Sequence, residues 1–419
     1  MNKQFRMTDG RMTRRRFTQA AAAGLAAPAL LAHPVRAQGA PLKIGLVLAK
    51  SGVQAFFGQS CERGALMAPA LLAEMGYKAK IELTTGDFES NVDTARIRAE
   101  KLIADGANVL IGCFDSGATS AVAQVAEQKG VPFVINVAAA PQITEQGYKF
   151  VFRNFSTALM LNQNALVLMK DLFQATGYTP KTCVLLHLND TFGQASKAVM
   201  DKIFPTMGMP FKIVEAIAYD PTAKDLSVEV AKAKATGADL VMVISRLNDS
   251  ITLVREMVKQ RYEPKGVISP GSPGMYDDQF YKTLGKYSEY IITNTPWYNP
   301  NTDIAKQFRV VFEKRFPSDR FIGNVFNAGF TFEAVQIAVD AYTRAKSTDG
   351  KALAEALRTT NIPVHPMAGP PITFDAKGQN VRIASVALQN RNLEPTVVLP
   401  AEAAQMKPVF PMPGWNNRG

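Results

Sequence analysis

The sequence predicts an α/β protein of two Rossmann-like lobes, each built on a parallel sheet. From Leu42 onward, short apolar runs alternate with longer amphipathic ones. That βαβ order implies parallel strands joined by right-handed crossovers. The same alternation starts again near residue 160. Beyond residue 37 the chain holds about 380 residues, more than one hydrophobic core usually organises.

In chain order, "LKIGLVLA" (42–49) reads as a short buried strand, and "FGQSCERGALMAPALLAEMG" (57–76) as a helix that Pro69 should kink. A half-exposed strand (80–87), a helix closed by glycine (91–106) and the strand "NVLIG" (108–112) follow. "ATSAVAQVAEQKG" (118–130) is the next helix and "VPFVINV" (131–137) the next strand. The second series has a helix (161–177), a strand (182–188), a helix (192–205) and a strand (211–219). It continues through "DLSVEVAKAKATG", the strand "ADLVMVIS" (238–245) and the helix "LNDSITLVREMVKQR". Helices at 302–316, 324–346 and 351–358 precede an expected strand pair, 371–375 and 382–390. The Pro- and Gly-containing end, 401–419, reads as a surface tail.

The first 37 residues read as an address and not as fold. Arg14, Arg15, Arg16 and Phe17 precede "TQAAAAGLAAPALLA", and Val35 and Ala37 offer the small residues that a signal peptidase reads. This is the layout of a signal peptide, with the arginine pair of the twin-arginine route. Its apolar run is too short for a membrane span, so no membrane anchor is expected, and the periplasm is the expected destination. These residues hold seven basic side chains against Asp9, a net +6 of the chain's +11. The remaining +5 forms no dense basic run, which disfavours nucleic acid as a partner. Cys61, Cys113 and Cys183 include no C-x-x-C pair, and beyond the address only His187 and His365 remain. No metal site and no cofactor are expected.

One stretch holds candidate chemistry. In "IGCFDSGATSA" (111–121) a strand hands over to a helix through Asp115, Ser116, Gly117 and Thr119. Three readings compete: a nucleophilic serine, a cradle for an anion, and a plain helix cap. A nucleophile needs a base and an orienting group. No G-x-S-x-G is present, and His187 sits in the other half of the chain, so no enzyme is expected. Unpaired N–H groups at the helix start favour an anion. Two further strand-end loops, "AKSGVQAFFGQ" (49–59) and "NVAAAPQIT" (136–144), carry small residues. In parallel sheets such loops converge on the ligand.

With those loops in view, the chain resembles a known family. "KIGLVLAKSGVQAFFGQ", "IGCFDSGATSAVAQVAEQKGVPFVI", "LNDTFGQA" and "GPPITFDAKGQ" are similar, in order and spacing, to the branched-chain amino acid type of ABC-transporter substrate-binding protein, from about Lys43 to Gly378. The resemblance implies the periplasmic binding protein type I fold: two lobes joined by three hinge crossovers, closing on a ligand and docking on the transmembrane subunits of a permease. Crossovers near 158, 290 and 365 would assign 41–158 with 290–365 to the first lobe, and 159–289 with 366–400 to the second. A monomer is expected.

The family's ligand positions carry over one at a time. The serine that holds the ligand carboxylate matches Ser116, beside Asp115. The next loop, Val137-Ala138-Ala139, lacks the family's threonine hydroxyl. Phe57 matches the aromatic beside the first-loop glycine, and Phe192 the aromatic of the second lobe. Arg246 stands where the family has a tyrosine. The glutamate that holds the ligand ammonium falls on Gly271. A buried ammonium without a carboxylate is costly. The expected ligand is therefore a small anionic organic molecule, a carboxylic acid without an α-amino group, carrying an aromatic ring. A branched-chain amino acid, or a sensor that presents its ligand to a receptor, stays open as an alternative.

Overall fold

Parallel strands account for most of both sheets. The computed structural model describes residues 39–418; the expected export signal and its arginine pair lie outside the described residues. The first sheet has the order β2-β1-β3-β4-β5, with every pairing parallel. Its strands are β1 (Leu42–Leu48), β2 (Ile81–Asp87), β3 (Val109–Gly112), β4 (Phe133–Ile135) and β5 (Val151–Arg153). Helices α1 (Ala55–Glu74), α2 (Val92–Ala104) and α3 (Ser116–Lys129) connect them. The second sheet has the order β12-β11-β10-β9-β8-β6-β7. Here α4 (Ala158–Thr176), α5 (Thr191–Ile203), α6 (Ser227–Ala235), α7 (Leu247–Lys259) and α8 (Asp278–Leu284) join β6 (Thr182–Leu188), β7 (Lys212–Tyr219), β8 (Leu240–Ile244), β9 (Gly266–Pro270) and β10 (Ile292–Thr295). The hairpin β11 (Val386–Arg391) and β12 (Glu394–Leu399) adds the only antiparallel pairings in this sheet.

The central strands β3, β4 and β8 are buried along their whole length, which is why they read as continuous apolar runs and not as alternation. Several helices begin on side-chain caps. The Asp115 carboxylate accepts from Ala118 N, Thr157 Oγ1 from Met160 N, and the Asp190 carboxylate from Gly193 N. Gly130 and Gly177 close α3 and α4 in the left-handed conformation. Helices α9 (Asp303–Arg315), α10 (Phe321–Ala345) and α11 (Gly350–Arg358) return to the first lobe. There α10 packs on α1, β1, β3 and β4. This helix is apolar on nearly every face because sheet and helices enclose it.

Several expected boundaries move. β10 pairs with β9, so the second crossing lies beyond Thr295 and not at 290. Gln379 still bridges to Arg153 of the first sheet. The third crossing therefore falls after it, between 380 and 385, and not at 365. The expected strand pair 371–375 and 382–390 is replaced by β11 with β12, because 371–375 makes only the bridge Ile362–Ile372. The tail is not a mere surface wrap. Trp415 is buried and gives its indole N–H to Tyr262 O at 2.6 Å, and the buried Arg418 guanidinium donates to the Glu289 carbonyl at 2.8 Å. All three cysteines are free and buried.

Candidate functional site

The loops at the carboxyl ends of the strands from both sheets meet in one cleft, the place where parallel sheets bind ligands. The first lobe contributes Phe114 and Ser116 after β3, and Val137 and Ala139 after β4. The second contributes Phe192 after β6, Arg246 after β8, and Gly271 and Pro273 after β9. Phe155 from the first crossover, Leu161 of α4 and Phe326 of α10 complete the inner slot. The cavity between these walls is only about 30 Å3. That is room for about two waters, so the lobes stand close together. Gly117 marks the contact, since a side chain there would begin 3.4 Å from Thr191 Oγ1 of the other lobe.

Six of the eight expected residues, Ser116, Val137, Ala139, Phe192, Arg246 and Gly271, line this slot. Phe57 and Asp115 do not. Phe57 stacks flat behind Phe114, with ring centroids 4.2 Å apart, so Phe114 is the aromatic that faces the slot. Asp115 belongs to an outer, polar chamber of about 510 Å3, together with Gln54, Ser90, Asp190, Thr191 and Asn248. Trp297 and Tyr298 pack on Tyr276 and Phe321 and do not line the slot. Sequence reading missed Phe114, Phe155, Leu161, Pro273 and Phe326. Phe114 was within reach, two positions before Ser116. Phe326 was not, because it sits in a helix whose all-round apolarity signals only burial.

Asp115, and not Ser116, caps α3: its carboxylate takes the Ala118 N–H at 2.9 Å. Ser116 is thereby freed from capping. Its hydroxyl oxygen is met only by Ala140 N, at 3.4 Å. His187 Nδ1 meets its own neighbour, the Leu188 carbonyl, at 3.0 Å, so the two do not form a nucleophile–base pair. In the next loop the Ala138 carbonyl is turned onto Arg153. The N–H of Ala139, antiparallel to that carbonyl in the same trans peptide, points the other way.

Arg246 is the shared wall of the slot and the outer chamber. One of its nitrogens meets the Asp115 carboxylate of the first lobe at 3.2 Å, and another bonds Asp190 of its own lobe. The guanidinium lies 5.5 Å over the Phe192 ring. Burial by itself would depress its pKa, but the two carboxylates outweigh that and raise it. Two of five N–H donors serve the aspartates, and three remain. Asp249 receives the Arg246 backbone N–H and the Tyr219 hydroxyl, the latter at 2.7 Å. Burial pushes its carboxyl up to about 6.

Gly271 is glycine for reasons of packing. Its φ is +86°, and a Cβ there would lie 2.7 Å from Leu161 Cβ. Gly112 makes room for the Val47 carbonyl, 2.2 Å from where its Cβ would be. Among the described residues no helix is long and apolar enough to cross a membrane, and no group of three or more acidic, histidine or cysteine side chains could hold a metal ion.

Comparison with known proteins agrees with this fold. The family model described as "Periplasmic binding protein" matches residues 41–390. Leu/Ile/Val-binding protein homolog 8 of Brucella abortus (strain 2308) is 23% identical, over 88% of this chain and 93% of that protein. Among solved structures, the branched-chain amino acid substrate-binding protein LivJ of Streptococcus pneumoniae, in complex with isoleucine, superposes with a TM-score of 0.74. It is 17% identical and covers 88% of this chain and 100% of its own. A solute-binding protein of an ABC transporter from R. palustris, in complex with benzoate, gives 0.73 at 20% identity, over 88% of this chain and 98% of its own.

Proposed function

The chain belongs to the periplasmic binding protein family, and from that premise we propose that it is the solute-binding component of an ABC importer for a small aromatic carboxylic acid that lacks an α-amino group. One observation carries the ligand class. The slot is walled by Phe114, Phe155, Phe192, Phe326, Leu161 and Val137, its polar side chains are Ser116 and Arg246, and none of its lining residues is a carboxylate. An ammonium bound there would lack a counter-ion. Glycine holds the position of the family's glutamate, and that glycine is packed too tightly to be replaced. The Ser116 hydroxyl, the Ala139 N–H and the remaining donors of Arg246 would hold the carboxylate, with the ring between phenylalanines. Benzoate-, phenylpropanoid- and phenyl-keto-acid-like molecules have this chemistry. The R. palustris neighbour in complex with benzoate is one relative with such a ligand.

The same reading has the protein exported through the twin-arginine route to the periplasm. It acts there as a monomer and delivers its ligand to permease transmembrane subunits. The slot admits a ring only when the lobes part, so binding is coupled to hinge motion. The test is a thermal-shift screen of aromatic acids, aliphatic acids and amino acids, in which a ligand at 100 times its Kd adds about 2.7 kcal/mol of stability. Stabilisation by benzoate or 3-phenylpropionate is the expected result. Stabilisation by leucine beyond every aromatic acid would overturn the ligand class in favour of a branched-chain amino acid.

A further inference from the structure

Behind the slot sits a charge that the binding mode above leaves unused. Arg153, the last residue of β5, is fully buried. Its guanidinium donates to four neutral acceptors: the carbonyls of Ala138 (3.0 Å) and Ala140 (2.8 Å), Gln379 Oε1 (2.6 Å) and Thr144 Oγ1. Among the described residues it forms no ion pair. The nearest opposite charges, Glu145 and Asp375, act on it only through space, and Glu145 is itself held by Lys377 at 2.6 Å. A buried cation without a partnered anion is unfavourable unless something in its surroundings compensates it.

Its position shows what that could be. The two carbonyls it grips flank Ala139, a wall of the slot, and the N–H of Ala140 faces Ser116 Oγ. Gln379, another of its partners, gives its amide to the carbonyl of Phe155, another wall. The Arg153 backbone bonds Gly378 and Asn380, where the chain enters the third hinge segment. A guanidinium pulling on the Ala138 carbonyl polarises that peptide and strengthens the N–H at its far side as a donor.

We infer that Arg153 is the positioning residue of the carboxylate edge: it clamps loop 137–140 against Ser116 and supplies, from behind the loop, the fixed positive charge by which the slot prefers an anion. This rests on the acid-binding reading above. A unit charge one loop's thickness away, at an effective dielectric near 20, is worth about tenfold in acid preference.

The test compares benzoate with benzamide, and 3-phenylpropionate with its amide, by calorimetry on the full-length mature protein. Arg153→Met should cut the acid-to-amide ratio about tenfold. Should that variant fail to fold, Thr144→Asp places a carboxylate beside the guanidinium with little change of shape, and should lower the ratio equally without lowering Tm. Arg153→Lys keeps the charge but cannot grip both carbonyls, so it should weaken acid and amide alike and preserve most of the ratio. A wild-type ratio near one would sink the acid-binding reading and this inference with it. A high wild-type ratio that Thr144→Asp leaves unchanged would overturn the role of Arg153 alone.

Discussion

Replacing Ser116 by alanine separates a ligand anchor from a structural serine. The structure leaves this hydroxyl little else to do. Asp115 caps the helix, the bond from Ala140 N is long at 3.4 Å, and Ser120 bonds the Ser116 carbonyl, which alanine retains. Alanine should therefore cost the fold less than about 1 kcal/mol, the net worth of one neutral hydrogen bond. Binding should suffer more. A hydrogen bond to a charged acceptor contributes roughly 1.5–3 kcal/mol, which converts to a loss of about one to two orders of magnitude in affinity for the acid. Its primary amide, a neutral acceptor, should lose about tenfold at most. Calorimetry on wild type and Ser116→Ala with one acid and its amide, alongside a melting curve, reads both quantities. Equal losses for acid and amide would mean that the hydroxyl only packs. An unchanged acid affinity would remove Ser116 from the site.

Arg246→Ala removes the partner of two carboxylates and the cation over Phe192. Breaking a buried pair costs about 3–5 kcal/mol; Asp190 is partly exposed, so the lower end is expected in denaturant melts, together with weaker acid binding. A stability within 0.5 kcal/mol of wild type would show that the aspartates are solvated, as for exposed pairs. Burial holds the Asp249 carboxyl near 6, above its unfolded value of about 3.9. The native state therefore binds the extra proton between those values, and stability falls as pH rises through that window, by at most about 3 kcal/mol. Asp249→Asn should flatten the dependence between pH 4 and 6, and parallel curves for the two proteins would refute the assignment. Trp415→Ala should cost about 3–5 kcal/mol, as large buried aromatics do, although it lies in the terminal tail; a Tm within 1 °C of wild type would show that the tail is dispensable.

Much of this molecule was legible before any coordinate. Strands such as "VLIG" and "LVMVI" are apolar throughout because both faces of a parallel sheet are covered, and a run of that kind needs no partner to be recognised. The small residues at strand ends pointed to Ser116, and the family resemblance carried over Val137, Ala139, Phe192, Arg246 and Gly271; all six line one slot. Short or polar strands escaped. β5 has three residues, and β10, "ITNT", is buried by its neighbours although its composition is polar. The tertiary structure alone decided which side chains meet. Arg246 was legible as a donor, but its partner Asp115 lies 131 positions away on the other lobe. Phe57 and Phe114 are both aromatic and both buried, and only their stacking order shows which faces the ligand space. The sequence by itself determined which faces are buried and where the strands end, because periodicity is a local property of the chain. Partner choice, lobe boundaries and the burial of the tail depend on distances between remote segments, and only the folded packing sets those.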